Sequence, residues 1–335
     1  MTPRIATVLL GLSALLPFLS TAAPVRGEQA LALGLPLACT PGEDCWVVRL
    51  SDRDPGPGFT DYRCGGLGSD GHDGTDFALP DPARMRAGVP VLAAAAGTVR
   101  AARDGMPDQP PTGQLAHDFG RLSCGNGVLL QHEGGWETQY CHLRQGSVRV
   151  RPGQAVAAGD ALGLVGMSGE ANFPHVHLGV RREGQTIDPF TGTPTTSPCG
   201  KAGTPLWEPE LRAALDYVAV PIAIVGLAGY VPSHRDIVSG AAASVGPRPD
   251  TPLVGYVLAY GLKRGDRIGI TVTGPDGTVV SRASFPVEEE APRASRSAGR
   301  KAPPGGWPAG TYRVEASVER GDARWSKSRE LTLTQ

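Results

Sequence analysis

The 335-residue chain has neither a Cys-x-x-Cys pair nor a His-Glu-x-x-His segment. The first absence argues against a thiolate zinc site. The second removes the helix that carries two metal-binding imidazoles together with their own carboxylate base. Long apolar runs are missing too. Ile5 to Leu19 is fifteen residues long and contains Pro17, and Val218 to Val231 contains Pro221. A bilayer-spanning helix needs roughly 20 apolar residues. Neither charge is in excess: the formal net charge is −1, which gives nucleic acid or a strongly charged polymer no electrostatic reason to bind. The sequence shows no internal repeat of solenoid length. It is rich instead in glycine and proline, 46 Gly and 31 Pro, a composition of turns and short strands rather than long helices.

The first residues read as a targeting segment. Arg4 precedes the apolar run and Ser20-Thr21-Ala22 supplies small residues for cleavage after Ala22, so 1–22 is expected to be a secretory signal peptide. Once it is removed, no membrane span is expected. The remainder is long enough for two domains of ordinary size. We expect an N-terminal extension at 23–61, a first β-domain at 62–200, a linker with a short helix and strand at 201–250, and a second β-domain at 251–335. Six cysteines in an exported chain suggest disulfides, which persist in oxidising compartments. Cys39 and Cys45 bracket a Thr-Pro-Gly turn, and Cys124 and Cys141 flank a hairpin with Glu133-Gly134-Gly135 at its tip. Cys64 and Cys199 would then close the two ends of the first domain, although sequence alone does not choose among the pairings.

Two stretches carry chemistry. Gly71-His72-Asp73-Gly74-Thr75-Asp76-Phe77-Ala78 is answered a hundred residues later by Phe173-Pro174-His175-Val176-His177-Leu178. In an extended segment side chains alternate faces, so His72 and Asp76 would share a face, as would His175 and His177. Gly71 and Gly74 make a helix a poor host for the first pair; a strand leaving a turn fits better. Two imidazoles and a carboxylate are three metal donors, which leaves a tetrahedral position open for water. Each half alone is also the pattern of a solvated loop or an ordinary polar strand face.

The chain between the halves carries a resemblance. Gly-Val-Pro-Val-Leu-Ala-Ala-Ala-Ala-Gly-Thr-Val (88–99) is followed by Gly-Asn-Gly-Val-Leu-Leu-Gln-His (125–132) and Glu-Thr-Gln-Tyr-Cys-His-Leu (137–143). Then come the Gly-punctuated segment 150–166, the His-x-His and Ile187-Asp188-Pro189. In this order, over about residues 62–190, the chain resembles the lysostaphin-like (LytM-type) zinc metallopeptidases. The resemblance implies a small antiparallel β-domain of the duplicated hybrid motif type that cuts peptide bonds in peptidoglycan. It implies one Zn2+ per catalytic domain held by His72, Asp76 and His177, with His142 and His175 as the catalytic histidines. The expected reaction is amide hydrolysis by a metal-activated water, in the periplasm or outside the cell. Glu170-Ala171-Asn172-Phe173-Pro174 before the His-x-His and the insertion Asp81–Ala87 depart from the family pattern and put peptide specificity in doubt.

Other readings remain. A non-catalytic member of the same fold would bind and activate another wall hydrolase, and loss of ligands is its usual sign. A biotinyl-type carrier module would need a lysine where this chain has Gly166-Met167-Ser168-Gly169. Tyr140 and Asn172 lie near the site in sequence but suit packing and turn roles, and His117, His132 and His234 read as surface or structural. Asp104–Leu122 is a long polar loop that could wall a groove. Trp207 to Tyr217 suits a short helix, and Val218–Val231 a buried strand. From Leu253 onward alternating strands and turns predict an Ig-like β-sandwich, available to a protein partner, with Arg293–Lys301 as a solvated basic loop.

Overall fold

Turn residues at nearly every boundary cut the chain into eighteen strands among the residues that the computed structural model describes, 1–3, 31–109 and 119–334. Residues 4–22 of the expected signal peptide and His117 fall outside that set, as does the middle of the loop after Asp104. No helix among the described residues is long and apolar enough to cross a membrane.

The first unit contains β1 (Trp46–Arg49), β2 (Thr75–Ala78), β3 (Pro90–Leu92), β4 (Gly97–Arg103), β5 (Asn126–Gln131) and β6 (Trp136–Leu143). It continues through β7 (Ala155–Val156), β8 (Ala161–Leu164), β9 (His175–Arg182), β10 (Gln185–Asp188) and β11 (Thr193–Pro194). Its main sheet has the order β1-β2-β9-β6-β5-β4-β7, and β3 pairs with β8 apart from it. All these pairings are antiparallel. Phe77, Val128, Leu130, Tyr140, Val176 and Leu178 are at most 1% exposed and form the core on one sheet face. Tyr140 belongs there as packing: its hydroxyl accepts the Ala94 N–H at 2.8 Å.

The N-terminal extension is part of this unit. Leu33 and Leu37 are fully buried in the same core, and the Leu33 N–H donates to the Leu206 carbonyl at 2.8 Å. The Arg53 guanidinium is fully buried on Asp188, with Nη2 3.0 Å from Oδ2, and it also reaches Thr191 and Thr193. Disulfides join Cys39 to Cys45, Cys64 to Cys199 and Cys124 to Cys141.

The second unit is a two-sheet sandwich. It is built from β12 (Ile222–Ala228), β13 (Leu253–Leu262), β14 (Arg267–Thr273), β15 (Val279–Pro286), β16 (Ala291–Arg300), β17 (Gly310–Arg320) and β18 (Ala323–Leu333). One sheet is β12-β13-β16 and the other β15-β14-β17-β18. Lettered in chain order, this is A-B-E facing C′-C-F-G, an Ig-like arrangement. The Tyr312 hydroxyl, near the start of β17, donates to the Pro308 carbonyl at 2.9 Å, which is the corner that pins such sandwiches. Every residue of β13 is buried, because one face meets the opposing sheet and the other meets the first unit. That second contact joins Trp46, Val48 and Phe173 to Ala223, Tyr256 and Tyr260 in one apolar cluster.

Two expectations are corrected. Arg293–Lys301 is no solvated loop: it lies almost wholly in β16, paired along its length with β13. The strand turns small residues inward, with Ala291, Ala294 and Ala298 packed on the sandwich core, so it lacks the bulky alternation that marks a strand in sequence. The helix expected over 207–217 is a single turn, Pro209–Arg212, because Trp207 bridges to Leu33 and is buried in the first core.

Candidate metal centre and active site

Pairing register sets one row of side chains across four strands. Arg49 pairs with Asp76, Asp76 with His177, and His177 with Cys141. Directly opposed residues project to the same face, and His175 joins them from two positions before His177. Valine and leucine at 176 and 178 point the other way, into the core.

His72 arrives differently. β2 begins only at Thr75, so the expectation that His72 and Asp76 share a strand face holds for Asp76 alone. His72 sits in the preceding turn, after Gly71 at φ 70°, and its ring is fixed by a 2.9 Å bond from Nδ1–H to the Leu50 carbonyl. Gly74 makes the approach possible: a Cβ there would lie 2.6 Å from His177 Nε2.

His142 breaks a rule to reach the site. Strand alternation after Cys141 would aim it at the opposite face, but its φ is 65°. That left-handed conformation costs a non-glycine residue about 1–2 kcal/mol. The neighbouring Cys124–Cys141 disulfide and the His142 N–H bond to the Cys124 carbonyl, at 2.8 Å, hold the turned backbone.

The donor atoms converge. His72 Nε2 and His177 Nδ1 lie 3.0 and 2.9 Å from Asp76 Oδ1 and 3.1 Å from each other. His72 spends its Nδ1 proton on Leu50, and His177 Nε2–H faces Asp73 Oδ1 at 3.2 Å. Each ring thus turns its other nitrogen towards the same carboxylate oxygen, and that nitrogen becomes a metal donor once it carries no proton. Three donors of this chemistry in one cluster fit a divalent metal such as zinc. Burial alone would raise the Asp76 carboxyl, but the surrounding His72, His175 and His177 rings hold it well below the usual range. Burial would likewise lower His177, but the Asp73 and Asp76 carboxylates more than offset it, at about 9 in the metal-free protein.

His142 and His175 stand beside this cluster with ring centroids 4.5 Å apart. Their Nδ1–H groups donate to the Ser168 and Phe173 carbonyls, both at 2.9 Å, which leaves both Nε2 atoms free. Burial pushes His142 well below its ordinary value and His175 down to about 4, so both rings are neutral near pH 7. All five histidine and aspartate side chains predicted from sequence therefore line one cavity of about 420 Å³. Arg121, Ser123 and Cys124, from the end of the long polar loop onward, line it too.

The other sequence candidates lie elsewhere. His132 bonds the Ala96 carbonyl and Thr138, His234 bonds Ser295, and Asn172 is half-buried in the bend before Phe173. Sequence reasoning missed Asp73, Arg181 and Arg49. Arg181 lies four residues after His177 on the same strand face and donates to Asp73 Oδ2 at 2.9 Å and Gln139 Oε1 at 2.6 Å. Alternation could have found Arg181. No local pattern announces Asp73, whose role depends on a ring a hundred residues away.

Comparison with known proteins places the same segment in a family. Residues 70–189 match the model of Peptidase family M23. Peptidoglycan DD-endopeptidase ShyA of Vibrio cholerae is 31% identical over 117 residues, 35% of this chain and 22% of that protein. Cell division protein DipM of Caulobacter vibrioides is 36% identical over 110 residues, 33% of this chain and 14% of that protein. The chain thus matches less than a quarter of the length of either relative. Among solved structures, the catalytic domain of the prophage-encoded M23 protein EnpA from Enterococcus faecalis is 25% identical with a TM-score of 0.31, covering 48% of this chain and 95% of that one. The segment that carries the His-Asp-His cluster is thus the one that matches Peptidase family M23, residues 70–189.

Proposed function

We propose that this chain is an exported zinc metalloendopeptidase that hydrolyses amide bonds in peptidoglycan stem peptides or cross-links. The observation that carries the reading is the convergence of two imidazole nitrogens and a carboxylate oxygen beside two neutral, hydrogen-bonded histidines. His72, Asp76 and His177 would hold the ion. When bound, zinc polarises a carbonyl and brings the pKa of water towards about 7.

The remaining work falls to this chain's own residues. Nε2 of His175 or His142 accepts a proton from the attacking water and returns one to the leaving amine. Asp76 Oδ2, 3.7 Å from His175 Nε2, stabilises the imidazolium that forms. The Ser168 and Phe173 carbonyls keep both rings aimed at the cavity throughout. Three disulfides support an oxidising location, periplasmic or extracellular.

The test is incubation of zinc-loaded protein with purified cross-linked peptidoglycan, followed by chromatography and mass spectrometry of the muropeptides. Loss of cross-linked dimers, with new amino ends and sensitivity to chelator, is expected. His142→Ala should keep its zinc and lose about 10²- to 10⁴-fold in rate. Unchanged dimers from a zinc-holding protein would overturn the peptidase reading in favour of a regulator of another hydrolase.

A further inference from the structure

Arg49 is a cation at the reaction centre whose ion pair among the described residues, with Asp76, is too long for a hydrogen bond. It belongs to the N-terminal extension, outside the matched M23 segment, and β1 carries it into the row of Asp76 and His177. A register irregularity between Val47 and Arg49 accompanies this placement. Its side chain is 27% exposed and lines the cavity. Its Nη1 is 3.9 Å from Asp76 Oδ2, beyond hydrogen-bond distance, while Asp76 Oδ1 is taken by His72 and His177. Arg181, the neighbouring cation, is committed to Asp73 and Gln139. Asp70 and Glu170 also line the cavity, but among the described residues neither forms an ion pair with Arg49.

The surroundings keep Arg49 aimed into the cavity. Its guanidinium lies over the Phe173 ring at 5.7 Å, and that ring stacks on His175 at 4.4 Å. Arg293, from β16 of the sandwich, lies over the same ring at 5.2 Å, with a buried Nη1 that has no hydrogen-bond partner. Two guanidinium groups on one ring repel each other and attract an anion. Arg293 does not line the cavity and Arg49 does, so of the two Arg49 is the one that an anion in the cavity can reach.

We infer that Arg49 is a specificity residue that receives a free carboxylate on the substrate, carried by the carbon that bears the leaving amine. The inference rests on the peptidase reading above. Arg49 Nη1 and His175 Nε2 lie 3.9 and 3.7 Å from the same Asp76 Oδ2, so with His175 as the histidine that returns the proton, Arg49 stands on the side of the leaving amine. A guanidinium and a carboxylate match in charge and in fork geometry. The substrate class is thus peptides cut next to a residue that keeps its carboxylate. Two sources share that chemistry: the last residue of a linear peptide, and a cross-link made to the amine of a residue whose carboxyl is free.

The experiment uses the zinc-loaded full chain and four synthetic peptides: a linear peptide and a cross-linked dimer, each with that carboxylate free or as the carboxamide. Wild type is expected to favour the acid form of one pair by about 10- to 100-fold in kcat/KM, mainly through KM. Arg49→Gln should erase the preference, and Arg49→Lys should restore part of it, with zinc content unchanged in both. The preferred pair names the source. Binding to the His142→Ala background, by calorimetry, separates this inference from the reaction itself. Arg49-dependent binding of acid over amide without cleavage by wild type would keep the anion site and sink the peptidase reading. Equal treatment of acid and amide, or a preference that survives Arg49→Gln, would overturn the inference.

Discussion

Asp73→Ala tests whether the second sphere builds the metal site. Asp73 Oδ1 lies 3.2 Å from His177 Nε2, and its Oδ2 accepts from Arg181 at 2.9 Å. The carboxylate therefore fixes the ring so that Nδ1 faces Asp76, and it makes that nitrogen a better donor. Losing such a support typically costs about 10- to 100-fold in metal affinity. The Asp73 side chain is 52% exposed, so water screens it and the lower end applies. We expect zinc to bind about tenfold more weakly, about 1.4 kcal/mol. Asp73→Asn keeps an acceptor without the charge and should lose only a few-fold. Arg181→Ala, which leaves the carboxylate in place, should lose less still. The assay is competition against a chromophoric chelator at fixed pH. If Asp73→Ala held zinc as tightly as wild type, the claim that His177 is oriented by Asp73 would be wrong, whatever happened to activity.

Other outcomes are accessible to the same protein. Arg53→Met strands a buried Asp188 carboxylate and should destabilise the first unit by about 3–5 kcal/mol, read by denaturant unfolding. An unchanged midpoint would show that the pair is dispensable. Replacing Cys124 and Cys141 by alanine opens a loop of 17 residues and should cost about 3 kcal/mol. Hydrolysis should fall further than zinc content does, because the turned backbone of His142 loses its brace. Tyr312→Phe removes the bond to Pro308 and should lower sandwich stability by about 1 kcal/mol. Zinc affinity should rise with pH up to about 9, where the metal-free His177 loses its proton. The sign follows from competition: below that pH the ion must displace a proton, and above it none is bound. A flat affinity between pH 6 and 8 would contradict the shift.

Strand alternation is a short-range rule, so the shared face of His175 and His177 is legible in the sequence, whereas the choice of His72, Asp76 and His177 as donors comes from the family resemblance. His175 and His177 needed only a period of two, and the sandwich followed from alternation after Leu253. What the sequence hid depends on pairing between distant segments. Arg49 enters the site only because β1 pairs with β2, which no local pattern states. His142 lies on the wrong face by the same alternation that placed His177, and its backbone φ corrects this. β16 reads as a loop because its inward residues are too small to show a hydrophobic period.

The row from Arg49 to Cys141 has a consequence for when the donor cluster comes together during folding. His72 and His177 are 105 positions apart in the chain, and the contributing strands are neighbours only in the finished sheet. Pairings of that range form slowly and late. An extended or partly folded chain thus has no place for the ion, and a one-residue slip in β9 would turn its histidines into the core. On the proposed reading, capture of a metal would act as a proofreading step, because it would reward only the correct register.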